Sequence, residues 1–106
     1  MSNRDDRAAS ILLQLAAAYI AREAGRETLI TPTRVDLSDR KNAVIYVSVF
    51  PDTDKEHALE FLIRHRDDFR NYLKKESRLS ILPYIRFEYD VGEAHRQHLD
   101  ELSKEL

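Results

Sequence analysis

The sequence predicts an α+β fold, a two-layer sandwich in which helices cover one face of a three-stranded sheet. Three observations lead there. Apolar residues recur at three- and four-residue steps near the start and again in the middle of the chain. Three short segments instead alternate with a period of two. Polar turn residues separate the two kinds of pattern, giving the order helix, strand, strand, helix–break–helix, strand, helix. The 106 residues, 42% hydrophobic and 34% charged, fit a single domain over 1–106, long enough to bury roughly two-thirds of the surface its unfolded form exposes.

From about Asp5 to Glu23, the residues Ala8, Ile11, Leu12, Leu15, Ala18 and Tyr19 predict one inward face of a first helix, with Gly25 as its stop. Leu29, Thr31, Thr33, Val35 and Leu37 then alternate with Ile30, Pro32, Arg34 and Asp36, which predicts a strand. Pro32 lacks a backbone donor and places that strand at an edge or turns that position outward. Ser38-Asp39-Arg40-Lys41 makes the turn into a second, β-branched and aromatic strand, Ala43 to Phe50.

Thr53-x-x-Glu56 reads as a capping box opening a long helical stretch toward Lys75. One continuous helix there would align Ala58, Leu59, Leu62, Ile63, Phe69 and Leu73 on one face and set Arg66 in its middle. An unpaired buried charge costs several kcal/mol, more than a local break. A kink or short turn is therefore expected at His65, Arg66 and Asp67, with Asp67 or Asp68 capping the helix that follows, the alternative being a straight helix from which Arg66 snorkels. Pro83 extends Leu82, and Ile85, Phe87 and Tyr89 alternate with Tyr84, Arg86 and Glu88 as the third strand. Asp90-x-x-Glu93 caps a last helix with a thin stripe of Ala94, His98, Leu99, Leu102 and Leu106.

Composition excludes several functions. Without cysteine there is no disulfide or thiolate metal site. With only two glycines, no phosphate loop, dinucleotide fingerprint or GxxG RNA clamp can be written. No nucleophile–histidine pairing is arguable. His95 and His98 share a helix face but lack a third ligand, so no metal is expected. Neither a cofactor nor a small-molecule substrate is expected. The run Ile11–Ile20 is too short to span a bilayer and MSNRDDR lacks the order of a secretory signal, so a cytoplasmic protein with no membrane association is expected.

The charge pattern points to a binder. The formal net charge is -2, yet Arg64, Arg66, Arg70, Lys74, Lys75, Arg78 and Arg86 oppose only Asp67, Asp68, Glu76, Glu88 and Asp90 between residues 64 and 90. Arg66, Arg70, Lys74 and Arg78 step by four and suit phosphates. Arg34 and Arg86 occupy outward strand positions near Tyr46, Phe50 and Tyr84, which combines phosphate contact with stacking. The competing reading of the tyrosines is that helices cover them as ordinary sheet aromatics. These eight cations are the candidate RNA-binding residues.

The hairpin LITPTRVDLSDRKNAVIYVSVF, with the cadence V-x-x-S-D-x-x-x-A-x-x-Y-V-S from Val35 to Ser48, is followed by a long helical segment. After it comes LPYIRFEYD, whose ending P-x-x-x-F-x-Y-D runs from Pro83 to Asp90. In joint order and spacing, the chain resembles the ribosome-binding factor A family over nearly its whole length. The resemblance implies a type II K-homology-like fold in which an Ala-x-Gly kink between two helices replaces the GxxG loop. It also implies binding to the small ribosomal subunit and help with late maturation of its precursor RNA. By position, the Ala-x-Gly site falls on His65, Arg66 and Asp67, and both defining residues differ.

The expected function is accordingly that of a non-enzymatic, monomeric assembly factor on the immature small subunit, active in rRNA processing. The alternative is a protein–protein interaction module on a degenerate KH-like fold that does not bind RNA. The net acidity and the lost kink residues motivate that alternative.

Overall fold

A computed structural model describes residues 3–39 and 41–105. The elements are α1 (Asn3–Glu23), β1 (Leu29–Asp39), β2 (Asn42–Phe50), a short 3-10 turn (Asp52–Asp54), α2 (Lys55–Arg64), α3 (Arg66–Glu76), β3 (Tyr84–Tyr89) and α4 (Val91–Glu105). The sheet order is β1-β2-β3, antiparallel between β1 and β2 and parallel between β2 and β3. This is the expected α+β sandwich, with Pro32 on an edge strand. Among the described residues no helix is long and apolar enough to cross a membrane.

The core lies between the sheet and the helices α1, α2 and α3. Leu12, Ala16, Tyr19 and Ile20 meet Ile45, Val47, Leu62, Phe69 and Leu73 there. The inward face of α1 is thus rotated from the expected stripe: Ala16 and Ile20 are buried and Ala18 is exposed. A run of alanines tolerates either orientation, and the sheet selects the one that seats Tyr19. The Tyr19 hydroxyl donates to Asp68 Oδ2 at 2.6 Å, tying α1 to α3. Burial, then that carboxylate, pushes the phenol well above its ordinary pKa.

Strict alternation fails in β1. Pro32 pairs with Val47 and Arg34 with Tyr46, so Thr33 is an extra residue and a bulge. Ile30 is buried before it, while Leu29 is 64% exposed. After the bulge Val35 faces the core, because one inserted residue swaps the faces. Thr33 itself bonds away from the ladder. Its hydroxyl donates to Asp90 Oδ2 at 2.5 Å and lies 3.3 Å from the Tyr46 carbonyl.

The turns and caps also depart from expectation in places. β1 continues to Asp39, whose carboxylate accepts from the Lys41 N–H and the Asn42 amide. Arg40 of the expected turn and Leu106 of the expected last stripe lie outside the described residues. Gly25 follows the end of α1 without a positive φ, so no left-handed cap forms. The capping box at Thr53 is absent. Asp54 is the N-cap of α2, with no side-chain cap bond, because its carboxylate accepts instead from the Thr28 hydroxyl at 2.7 Å. Neither Asp67 nor Asp68 caps α3. His65 holds the N-cap position, and the two acids sit in the first turn, where they oppose the positive end of the helix dipole. Asp90 does cap α4, accepting the Glu93 N–H at 3.0 Å. Leu99 and Leu102 of α4 stay 48% and 45% exposed.

Candidate nucleic-acid interface

The helical stretch breaks at one residue, His65 (φ −95°, ψ 7°), between Arg64 and Arg66. Arg66 leaves the apolar face and is exposed, while Leu62 and Phe69 on either side remain buried. A histidine can hold this break without glycine because it supplies its own cap. Its Nδ1 lies 2.8 Å from the Phe61 carbonyl, and its ring packs on Phe61 with centroids 4.1 Å apart. The same carbonyl also accepts the His65 backbone N–H at 3.0 Å, so main chain and side chain of the break residue together close the last turn of α2.

The break faces the start of β3 across a groove of about 280 Å³ lined by Ile63, Arg66, Asp67, Arg70, Tyr84 and Ile85. β3 is an edge strand. The Tyr84 N–H donates to Lys41 O and the Asp90 N–H to Val47 O, so even-numbered residues bond toward β2. Odd-numbered Ile85, Phe87 and Tyr89 therefore turn their N–H and C=O groups to the open side. Ile85 is 4% exposed and Phe87 and Tyr89 are half-buried, so this backbone edge lies largely covered beneath the groove.

The eight candidate cations divide into three groups. Arg64, Arg66, Lys74, Lys75 and Arg78 are exposed and, among the described residues, enter no ion pair. By helical spacing Arg66 and Lys74 share the flank of α3 that carries Arg70, whereas Lys75 lies on another flank and Arg78 beyond the helix.

Arg70, by contrast, is half-buried and committed. Its Nη1 donates to the Pro83 carbonyl at 2.7 Å, and its Nη2 lies 3.4 Å from the Leu82 carbonyl.

Arg34 and Arg86 sit on the opposite, uncovered sheet face. Arg34 stacks on Tyr46 with its Cζ 3.7 Å from the ring centroid and approaches Asp90 at 3.8 Å. Arg86 pairs with Glu88 at 3.0 Å. Across the ladder Tyr46 is flanked by Arg34 and Glu88, and Val44 by Asp36 and Arg86. Each cation on this face thus has an acid on the same face, which leaves little net field for phosphates. The structure does not bring Arg34 and Arg86 together with the helical cations.

Sequence reasoning missed the groove itself. Ile63, 62% exposed, reads as a core position when the helical wheel is drawn through the break. No sequence signal ties Arg70 to carbonyls a dozen residues later. The exposure of Tyr84 follows from its position at the first residue of an edge strand, which only the strand order reveals. Among the described residues, no group of acids and histidines could hold a metal ion.

The comparisons with known proteins agree with this architecture. Residues 4–103 match the family model described as Ribosome-binding factor A. The ribosome-binding factor A of Desulfitobacterium hafniense is 33% identical over 104 residues, covering 94% of this chain and 83% of that protein. That of Kosmotoga olearia is 32% identical over 81 residues, covering 74% of this chain, and the match spans only 65% of the relative's length. The crystal structure of ribosome-binding factor A from Thermus thermophilus superposes with a TM-score of 0.71 over 80% of this chain and 94% of that one. At 24% identity, that likeness shows the fold alone. The family match over residues 4–103 and the shared strand–helix order lead to one conclusion: the chain belongs to the ribosome-binding factor A family.

Proposed function

We propose that this chain binds the immature small ribosomal subunit through its RNA and assists late maturation and rRNA processing, by binding and without turnover. The observation that carries the reading is a set of five exposed cations that, among the described residues, enter no ion pair. They lie around the α2–α3 break, in the C-terminal half of α3 and just beyond it, in a chain of this family. Phosphate contacts supply most of the affinity, and the groove beside β3 orients the bound strand. Binding one RNA conformation better than another shifts the subunit toward it, since a ligand moves an equilibrium only through differential affinity. The protein acts as a monomer in the cytoplasm.

Asp67 on the groove wall favours the second reading, a protein-docking module, because a carboxylate there repels phosphate. Sedimentation of cell extract through a sucrose gradient separates the two. Co-migration with small subunits that weakens steeply with salt supports the RNA reading. Absence from every ribosomal fraction, with retention of a protein partner, supports the other.

A further inference from the structure

Tyr84 is 75% exposed, although its ring is large and apolar enough to be worth covering. It lines the groove with Ile63, Arg66 and Arg70. Its place is set from α3. Arg70 springs from between Phe69 and Leu73, which are 1% and 0% exposed, so its guanidinium has a fixed base. The fork meets the carbonyls of Leu82 and Pro83, the two residues before Tyr84, and its Cζ lies 5.6 Å from the Tyr84 ring centroid. A lysine keeps the charge but cannot reproduce this planar, two-carbonyl grip.

We propose that Tyr84 is a stacking platform for an unpaired nucleobase of single-stranded RNA, and that Arg70 is the positioning residue that holds the platform at the groove. The ligand class follows from the surroundings. An aromatic face left in water beside cations suits a base attached to a phosphate backbone. A duplex hides the faces of its bases, so the target is unpaired.

The proposal rests on the RNA reading above, and the experiment keeps the two apart. The full chain is titrated with a ten-nucleotide oligoadenylate and with an abasic oligonucleotide of equal length and charge, over a range of salt. Tyr84→Leu is expected to weaken oligoadenylate binding about tenfold or more, the loss of one stacked base, while leaving abasic binding and the salt slope unchanged. Tyr84→Phe retains wild-type affinity. Arg70→Lys weakens oligoadenylate binding without changing the salt slope, and costs nothing further in the Tyr84→Leu background. Thermal unfolding of each variant checks that the exposed site was changed without loss of the fold.

Equal losses on both oligonucleotides, no loss on either, or wild-type protein that binds neither would overturn the platform. A salt slope reduced by about 0.7 in Arg70→Gln, which removes the charge that Arg70→Lys keeps, would make Arg70 a phosphate contact and overturn its positioning role. The wider reading fails separately, on absence of the protein from small-subunit fractions.

Discussion

Replacing Asp90 tests how the chain joins its sheet to its last helix. The side chain is nearly buried and serves two elements at once: Oδ1 accepts the Glu93 N–H at the start of α4, and Oδ2 accepts the Thr33 hydroxyl from the β1 bulge. The cap contributes about 1 kcal/mol. The hydrogen bond to a charged acceptor adds about 1.5–3 kcal/mol. Arg34, at 3.8 Å and more than half exposed, adds little because solvent screens it. Asp90→Ala should therefore destabilise by about 2–4 kcal/mol. Asp90→Asn keeps the cap acceptor but places an amide donor where Oδ2 accepted, so the Thr33 hydroxyl turns to donate to the Tyr46 carbonyl and accept from the amide, a cost of about 1 kcal/mol.

The pH dependence has a definite sign. The Thr33 hydroxyl, then the Glu93 N–H and Arg34, hold the Asp90 carboxyl below its ordinary value of 3.8 despite the opposing effect of burial. A folded-state pKa below the unfolded one contributes stability that is complete above the unfolded value and is lost as the pH falls through the folded value. The gap between wild type and Asp90→Asn should thus be full at neutral pH and shrink below the ordinary value. Urea unfolding followed by far-UV circular dichroism, at neutral pH and again in acid, measures both quantities. An Asp90→Ala protein within about 0.5 kcal/mol of wild type, or an Asn variant as damaged as Ala, would refute the two-bond account.

Other predictions concern the core and the cationic surface. Leu73→Ala, at a fully buried position, should cost about 2–5 kcal/mol through the cavity it leaves, visible in the same unfolding assay. His65→Ala removes the second of two bonds to the Phe61 carbonyl, which keeps the backbone N–H, and should cost about 1 kcal/mol or less, with faster amide exchange confined to the end of α2. Neutralising Lys74 and Arg66 together with glutamine should reduce the salt slope of small-subunit binding by about 0.7 for each phosphate no longer neutralised. The paired control Arg34→Gln and Arg86→Gln should leave that slope unchanged, since both cations already face carboxylates on the open sheet face.

Much of the architecture was legible in the residues. The periods of two and of 3.6 placed every major element, and Pro32 marked the edge strand because a missing donor is tolerated there. Arg66 signalled the helix break for a physical reason: a charge among Leu62, Phe69 and Leu73 forces the backbone to turn it out. Asp90 announced its cap. Side-chain assignments were less secure wherever a residue had rival partners. Thr53, Asp67 and Asp68 read as caps, but Asp54 takes the N-cap position of α2 while Thr28 claims its carboxylate, and Tyr19 reaches Asp68 from a distant part of the chain.

The basic segment from Arg64 to Arg86 divides along the same line. Its sequence alone determined that cations concentrate there, because charge and spacing are local properties. Which of them remain available was decided by the tertiary structure, which spends Arg70 on two carbonyls and pairs Arg86 with Glu88. The same is true of the groove. Its walls, Ile63 and Tyr84, are twenty-one positions apart in the chain, and only the parallel docking of β3 beside β2, under a helix pair broken at His65, brings them to one edge.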